Sequence, residues 1–129
     1  VGDEQHSGEG FVDVLVVDDE SNVAQTTVDI LRSEGLTAST AATVEEALAV
    51  IGSCKVRTVI VDHHIAGEDG VSILDKGGEL PPVIVMSGMD RDALAELEAT
   101  HGDRLFACLA KPVPPRNLIE VVKVAISRR

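Results

Sequence analysis

Five polar residues stand where apolar runs stop. Val12-Asp13-Val14-Leu15-Val16-Val17 ends on the pair Asp18-Asp19, Val59-Ile60-Val61 on Asp62, Val83-Ile84-Val85-Met86 on Ser87, and the run from Leu105 to Ala110 on Lys111. Each alone has a plain structural explanation. Acidic residues near a helix start complement its dipole, a serine after a strand makes a turn, and a lysine before proline is usually solvated. One group per strand end, with two on the first, is much harder to attribute to chance. Three carboxylates brought together repel, and without a counter-charge at least one tends to keep its proton. A divalent cation resolves that conflict. Oxygen-only ligands favour Mg2+, which keeps several waters and commonly shares its shell with phosphate oxygens. A carboxylate beside such an ion can attack phosphorus and give an acyl phosphate. The metal and an ammonium would neutralise the equatorial oxygens during transfer, and a hydroxyl opposite would hydrogen-bond the product.

The elements that must carry these residues follow from periodicity. Val59-Ile60-Val61 suits a strand buried on both faces of a parallel sheet, and a charge at its carboxyl end lies where open α/β sheets place their sites. Strands are predicted at Val12 to Val17, Leu36 to Ala41, Val56 to Val61, Val83 to Met86 and Leu105 to Ala110. A first helix starts near Ser21 or Asn22 and runs to about Glu34, with Val23, Thr27, Ile30 and Leu31 inward. Thr43-Val44-Glu45-Glu46 has the capping-box pattern that opens a second helix. The third, Val71 to Lys76, is short. Asp90 caps a fourth through Leu94 and Leu97, and Pro114-Pro115 lead into a fifth that packs Leu118, Val121, Val122 and Ala125. Five βα units without an internal repeat predict a single doubly wound, flavodoxin-like α/β domain. Its five-stranded parallel sheet has the order 2-1-3-4-5.

Bulk properties narrow the function classes. A chain of 129 residues has the length of one domain, and 44% hydrophobic with 26% charged residues is ordinary for a soluble globular protein. A net charge of −11 argues against a nucleic-acid surface, and Phe11 and Phe106 as the sole aromatics provide no base-stacking platform. Cys54 and Cys108 lack the CxxC spacing of a metal or redox site and read as small hydrophobes. No apolar run has membrane-span length and no signal peptide is visible, so a cytoplasmic location without membrane contact is expected. Residues 1–10 are polar and acidic and contain three glycines, which predicts a disordered tail or linker before a domain at 11–129. A start at Val1 rather than Met is consistent with a piece of a longer polypeptide.

Taken in order, the acidic pair Asp18-Asp19, Asp62 after its hydrophobic strand, Asp69-Gly70 in the next loop, Ser87 and Lys111-Pro112 resemble the receiver domains of two-component response regulators. The resemblance covers about Val12 to Ile126. It implies that Asp62 is the phosphoacceptor and that Asp19 holds Mg2+ with it. Asp18 would act mainly through a metal-bound water, and the backbone carbonyl of His64 would be a further ligand. Ser87 takes the place of the switch hydroxyl, Lys111 that of the lysine pairing with the phosphoryl group, and Gly70 serves the turn. The implied donor is a phosphohistidine on a sensor histidine kinase or a histidine phosphotransfer domain. The protein would be a signalling phosphoacceptor, catalysing only its own phosphorylation and slow dephosphorylation.

Several positions depart from that family's pattern. Ile65-Ala66 replaces a common Met-Pro, the third helix is short, and Cys108 stands where many members carry Tyr or Phe. Switching would therefore run through Ser87, the following loop and the helix after Asp90. His64 and Met89, each two residues past a site residue, flank the path of a hydrolytic water, and Met89 cannot orient one. Two other readings stay open. Asp62-His63-His64 also resembles the Asp-His-His signature of manganese phosphoesterases, although that family is longer and the reading leaves Ser87 and Lys111 unused. The fold could also serve as a pseudo-receiver that binds partners without phosphorylation, which the complete acidic set opposes. His63 reads as an exposed loop histidine. Ile119 and Ile126, off the packed stripe of the last helix, make that helix a candidate homodimer face, and core packing explains them almost as well.

Overall fold

Branched apolar stretches form the sheet, and the polar punctuation between them forms the turns. In the computed structural model, which describes residues 11–127, the chain runs β1 (Phe11–Val17), α1 (Ser21–Ser33), β2 (Ala38–Ala41), α2 (Val44–Ser53) and β3 (Lys55–Asp62). A small hairpin follows, β4 (His64–Ile65) and β5 (Glu68–Asp69), then a 3-10 turn at Gly70–Ser72 and the four-residue α3 (Ile73–Lys76). The chain closes with β6 (Val83–Ser87), α4 (Arg91–His101), β7 (Ala107–Ala110) and α5 (Pro115–Ser127). The tail expected at 1–10 lies outside the described residues.

The main sheet has the order β2-β1-β3-β6-β7 with every neighbouring pair parallel. This is the expected 2-1-3-4-5 arrangement, renumbered because the hairpin contributes two strands of its own. The register aligns the strand ends: Val17 pairs with both Ala41 and Val61, Asp62 with Met86, and Ser87 with Ala110. Asp18, Asp62, Ser87 and Lys111 therefore arrive at one edge.

Alternation along the strands divides the core into two layers. Leu15, Val17, Val59, Val61, Val83 and Val85 face α2 and α3, where Val44, Ala47, Ile73 and Leu74 cover them. Val14, Val16, Ile60, Ile84 and Met86 face α1 and α5, where Val28, Leu31, Leu118 and Val122 close the other side. Burying a branched side chain of this size is worth roughly 1.5–3 kcal/mol, and both faces of the central strands gain it.

Some boundaries and faces differ from the sequence reading. On α1 the inward stripe is Ala24, Thr27, Val28 and Leu31. Val23 is 38% exposed and Ile30 half-buried. The helix is turned so that the small Ala24 meets the sheet. β2 starts at Ala38 rather than Leu36: the Thr37 carbonyl accepts the Val14 N–H at 3.1 Å, but Thr37 and Asp13 meet each other's backbone N–H with their side chains at 2.9 Å, which ends the ladder there. On α5, Leu118, Val122 and Ala125 are buried as expected, and Val121 and Ile126 pack partly against the same layer. Core packing thus accounts for Ile126.

Candidate functional site

Four strand ends build the site. The Asp18 N–H donates to the Ala41 carbonyl at 2.9 Å, which continues the β1–β2 ladder one residue past the strand and sets the Asp18 side chain into the edge. Asp18 and Asp62 are buried and Asp19 is exposed. Carboxylate oxygens of these three residues all lie within 4.8 Å of one another. From the far side of β6, the Lys111 Nζ donates to Asp62 Oδ1 at 3.0 Å. The Lys111 N–H donates to the Ser87 carbonyl at 2.8 Å, and the Lys111–Pro112 peptide is cis.

Three carboxylates and one ammonium leave the cluster short of positive charge. Burial pushes the Asp18 carboxyl up from its ordinary value, and the charges of Asp62 and Asp19 push it the same way. The Glu20 N–H, donating to Asp18 Oδ1 at 2.9 Å, and Lys111 oppose that shift without cancelling it. An oxygen-only donor set that repels itself in this way fits a hard divalent cation.

The loop after Asp62 is held by the same carboxylates. Ala66 at φ 50 and Gly67 at φ 80 form the two-residue turn between β4 and β5, as a hairpin of that length demands. Asp19 Oδ2 accepts the Ala66 N–H at 3.0 Å, so the outer carboxylate also anchors this turn. Gly70 is required by close approach: a Cβ there would lie 1.9 Å from the Asp62 carbonyl oxygen. Its N–H donates to the His63 carbonyl at 2.6 Å. His64 lies in β4 with its ring exposed, one residue beyond the bend at His63.

Ser87 ends β6 at the sheet edge, and its neighbour His63 departs from the sequence reading. Ser87 is fully buried, and its hydroxyl has its partners away from the acidic cluster. The oxygen accepts the Met89 N–H at 3.0 Å and lies 3.3 Å from His63 Nδ1. His63, expected as an exposed loop residue, is 7% exposed. Its N–H donates to the Met86 carbonyl at 2.9 Å, and its Nε2 lies 3.5 Å from Asp69 Oδ1. The signal that could have found it is the two-residue alternation of β3, which carried one step past Asp62 places position 63 with Val59 and Val61.

Beside the acidic cluster, Val23, Thr26, Ile30, Pro112 and Val113 wall a mostly apolar groove between α1 and the start of α5, with Lys111 at its edge.

Residues 14–123 match the family model described as response regulator receiver domain. The chain belongs to the response regulator receiver family. Among curated proteins, this receiver domain is similar to the regulatory protein VanR of Enterococcus faecium, 29% identical over 89% of this chain and 50% of that protein. It is also similar to the nitrogen assimilation regulatory protein NtrX of Azorhizobium caulinodans, 33% identical over 88% of this chain and 26% of that protein. The domain thus spans half or less of these relatives. Among solved structures it resembles a response regulator receiver domain from Clostridium thermocellum, with TM-score 0.76 and 29% identity over 89% of this chain and 94% of that one. A Francisella receiver domain gives TM-score 0.78 and 28% identity over 89% and 96%. The Asp-His-His phosphoesterase reading falls with this membership, and the acidic cluster gathers three aspartates without a histidine.

Proposed function

We propose that this receiver domain accepts a phosphoryl group on Asp62 from a phosphohistidine of a sensor histidine kinase or a histidine phosphotransfer domain. The observation that carries the reading is the contact of Lys111 Nζ with Asp62 Oδ1 at 3.0 Å beside two further carboxylates. An Asp62 carboxylate oxygen forms the new O–P bond while the P–N bond to the donor breaks. The donor nitrogen leaves with the electron pair and takes up a proton.

The residues divide the work. Asp19 and Asp62 would hold Mg2+ directly, Asp18 through a bound water, and the His64 carbonyl would complete the protein's share. The cation, when bound, offsets the repulsion among the carboxylates and the charge on the transferring group. Lys111 exchanges its contact with Asp62 for one with a phosphoryl oxygen. The Ser87 hydroxyl turns to donate to another, which biases the loop after β6 and α4. Met89 leaves a path for slow hydrolysis that the exposed His64 borders. The apolar groove beside Lys111 gives a donor helix a surface within reach of Asp62. Donor and acceptor would meet in the cytoplasm. Among the described residues no helix is long and apolar enough to cross a membrane. Self-association through α5, where Ile119 is half-buried and Val124 is 47% exposed, remains part of the proposal.

Intact-mass analysis after incubation with a small-molecule phosphodonor tests the reading. A single phosphoryl adduct that requires Mg2+ and vanishes in Asp62→Asn is the expected result. No adduct with any metal would leave a pseudo-receiver that acts by binding alone.

A further inference from the structure

Across the sheet edge from the acidic cluster lies a second polar group, Ser87, His63 and Asp69, of which the proposed function uses only the Ser87 hydroxyl. Ser87 is fully buried, so its hydroxyl proton needs an acceptor inside the protein. Its oxygen already accepts the Met89 N–H. The acceptor in reach is His63 Nδ1 at 3.3 Å. On the other side of the ring, Nε2 faces Asp69 Oδ1 at 3.5 Å. A carboxylate only accepts, so a ring proton on Nε2 suits Asp69 and leaves the Nδ1 lone pair facing Ser87. The backbone on which the ring stands is pinned: the His63 main-chain N–H donates to the Met86 carbonyl and its main-chain carbonyl accepts the Gly70 N–H, while Asp69 Oδ1 accepts the Val71 N–H at 2.9 Å.

We infer that His63 is a positioning residue for the Ser87 hydroxyl, holding it away from Asp62 until a phosphoryl oxygen competes for its proton. This rests on the receiver reading above and adds a step to it. One hydroxyl proton cannot serve both Nδ1 and a phosphoryl oxygen, so each turn of Ser87 toward Asp62 breaks the bond to His63. The same rotation strains the Met89 N–H bond to the same oxygen. The contact therefore opposes switching, and it links the β4–β5 hairpin, through Asp69, to the loop that precedes α4.

The test measures binding of beryllofluoride, a phosphoryl mimic, with Mg2+, by fluorine NMR and titration calorimetry. His63→Leu removes the acceptor and should bind the mimic about tenfold more tightly, the scale of one buried hydroxyl left without a partner. His63→Asn, which keeps an amide oxygen near the position of Nδ1, should stay near the native affinity. In a Ser87→Ala background, His63→Leu should change nothing. An unchanged affinity in His63→Leu, or an equal shift in both backgrounds, overturns the inference. Should the leucine variant fail to fold, nitrogen NMR of the native chain decides. The His63 Nδ1 resonance should move on adding beryllofluoride, and an unmoved resonance overturns the inference. A native chain that does not bind beryllofluoride at all overturns the receiver reading and this step together. Native binding without the His63 effect overturns this step alone.

Discussion

Asp62 ends β3 and Lys111 directly follows β7, two strands separated by β6, and their side chains meet across it at 3.0 Å between Nζ and Oδ1. The long lysine spans the width of one strand, while the carboxyl ends of β3 and β7 are held level by the register of β6 with each. The ammonium is the one cation in contact with Asp62 among the described residues, and it is two-thirds covered.

Lys111→Met should slow formation of the Asp62 adduct by about 100-fold, the usual scale for removing one preorganised charge from a transferring group. It should also tighten Mg2+ binding, because the competing cation is gone. Single-turnover phosphorylation and a Mg2+ titration check the two effects separately. Loss of both together would indicate a collapsed site instead.

Asp18 predicts a pH dependence with a definite sign. Its carboxyl is raised in the folded protein above the ordinary 3.8, chiefly by burial and then by Asp62. In the window between that value and the raised one, the folded state holds more proton than the unfolded chain. This group therefore makes metal-free stability fall as pH rises through that window. Asp18→Asn keeps an oxygen for the Glu20 N–H and removes the titration. It should flatten that part of the profile and raise the metal-free melting midpoint at neutral pH by a few degrees. Mg2+ affinity should fall in the same variant. Calorimetry across pH, with and without Mg2+, reads all three.

Gly70→Ala should be among the costlier substitutions outside the core. Its Cβ would overlap the backbone oxygen of Asp62, which cannot rotate away as a side chain would. The loss expected is about 2–4 kcal/mol, within the range of overpacking at a rigid position. Urea unfolding measures it, and a change below about 0.5 kcal/mol would mean the loop moves aside freely.

Ala66 is a non-glycine residue at φ 50. Asparagine tolerates that region better and adds no backbone freedom to the unfolded chain. Ala66→Asn should raise stability by roughly 0.5–1 kcal/mol in urea unfolding.

α4 is thinly attached: Leu94 is its one buried residue, with Ala93 and Leu97 half-buried. Such an element opens at low cost. Beryllofluoride with Mg2+ should change amide exchange across residues 87–101 and leave β1 and β3 as they were. Unchanged protection there would rule out signalling through Ser87 and α4.

Much of this was legible without coordinates, for reasons that differ by element. The strands carrying Asp18, Asp62, Ser87 and Lys111 are runs of branched apolar residues cut off by a polar one. That pattern is local and survives any packing detail. The Thr43 cap at the start of α2 and the Asp90 cap of α4 form the predicted bonds to the Glu46 and Ala93 N–H groups. The face of α1 was misjudged because Val23 and Ala24 offer similar periodicities, and only the sheet chooses between them.

By itself, the sequence determined the order of the five main strands and their helices, the parallel sheet and the residues that reach its edge, because these follow from hydrophobic period and strand-end punctuation. Tertiary structure alone decided how those residues are used. The hairpin at Ala66-Gly67 depends on an Asp19 carboxylate 47 positions away in the chain. The burial of His63 depends on Ser87, 24 positions along. No local pattern encodes such pairs, since each is made by the register that sets β1, β3 and β6 side by side.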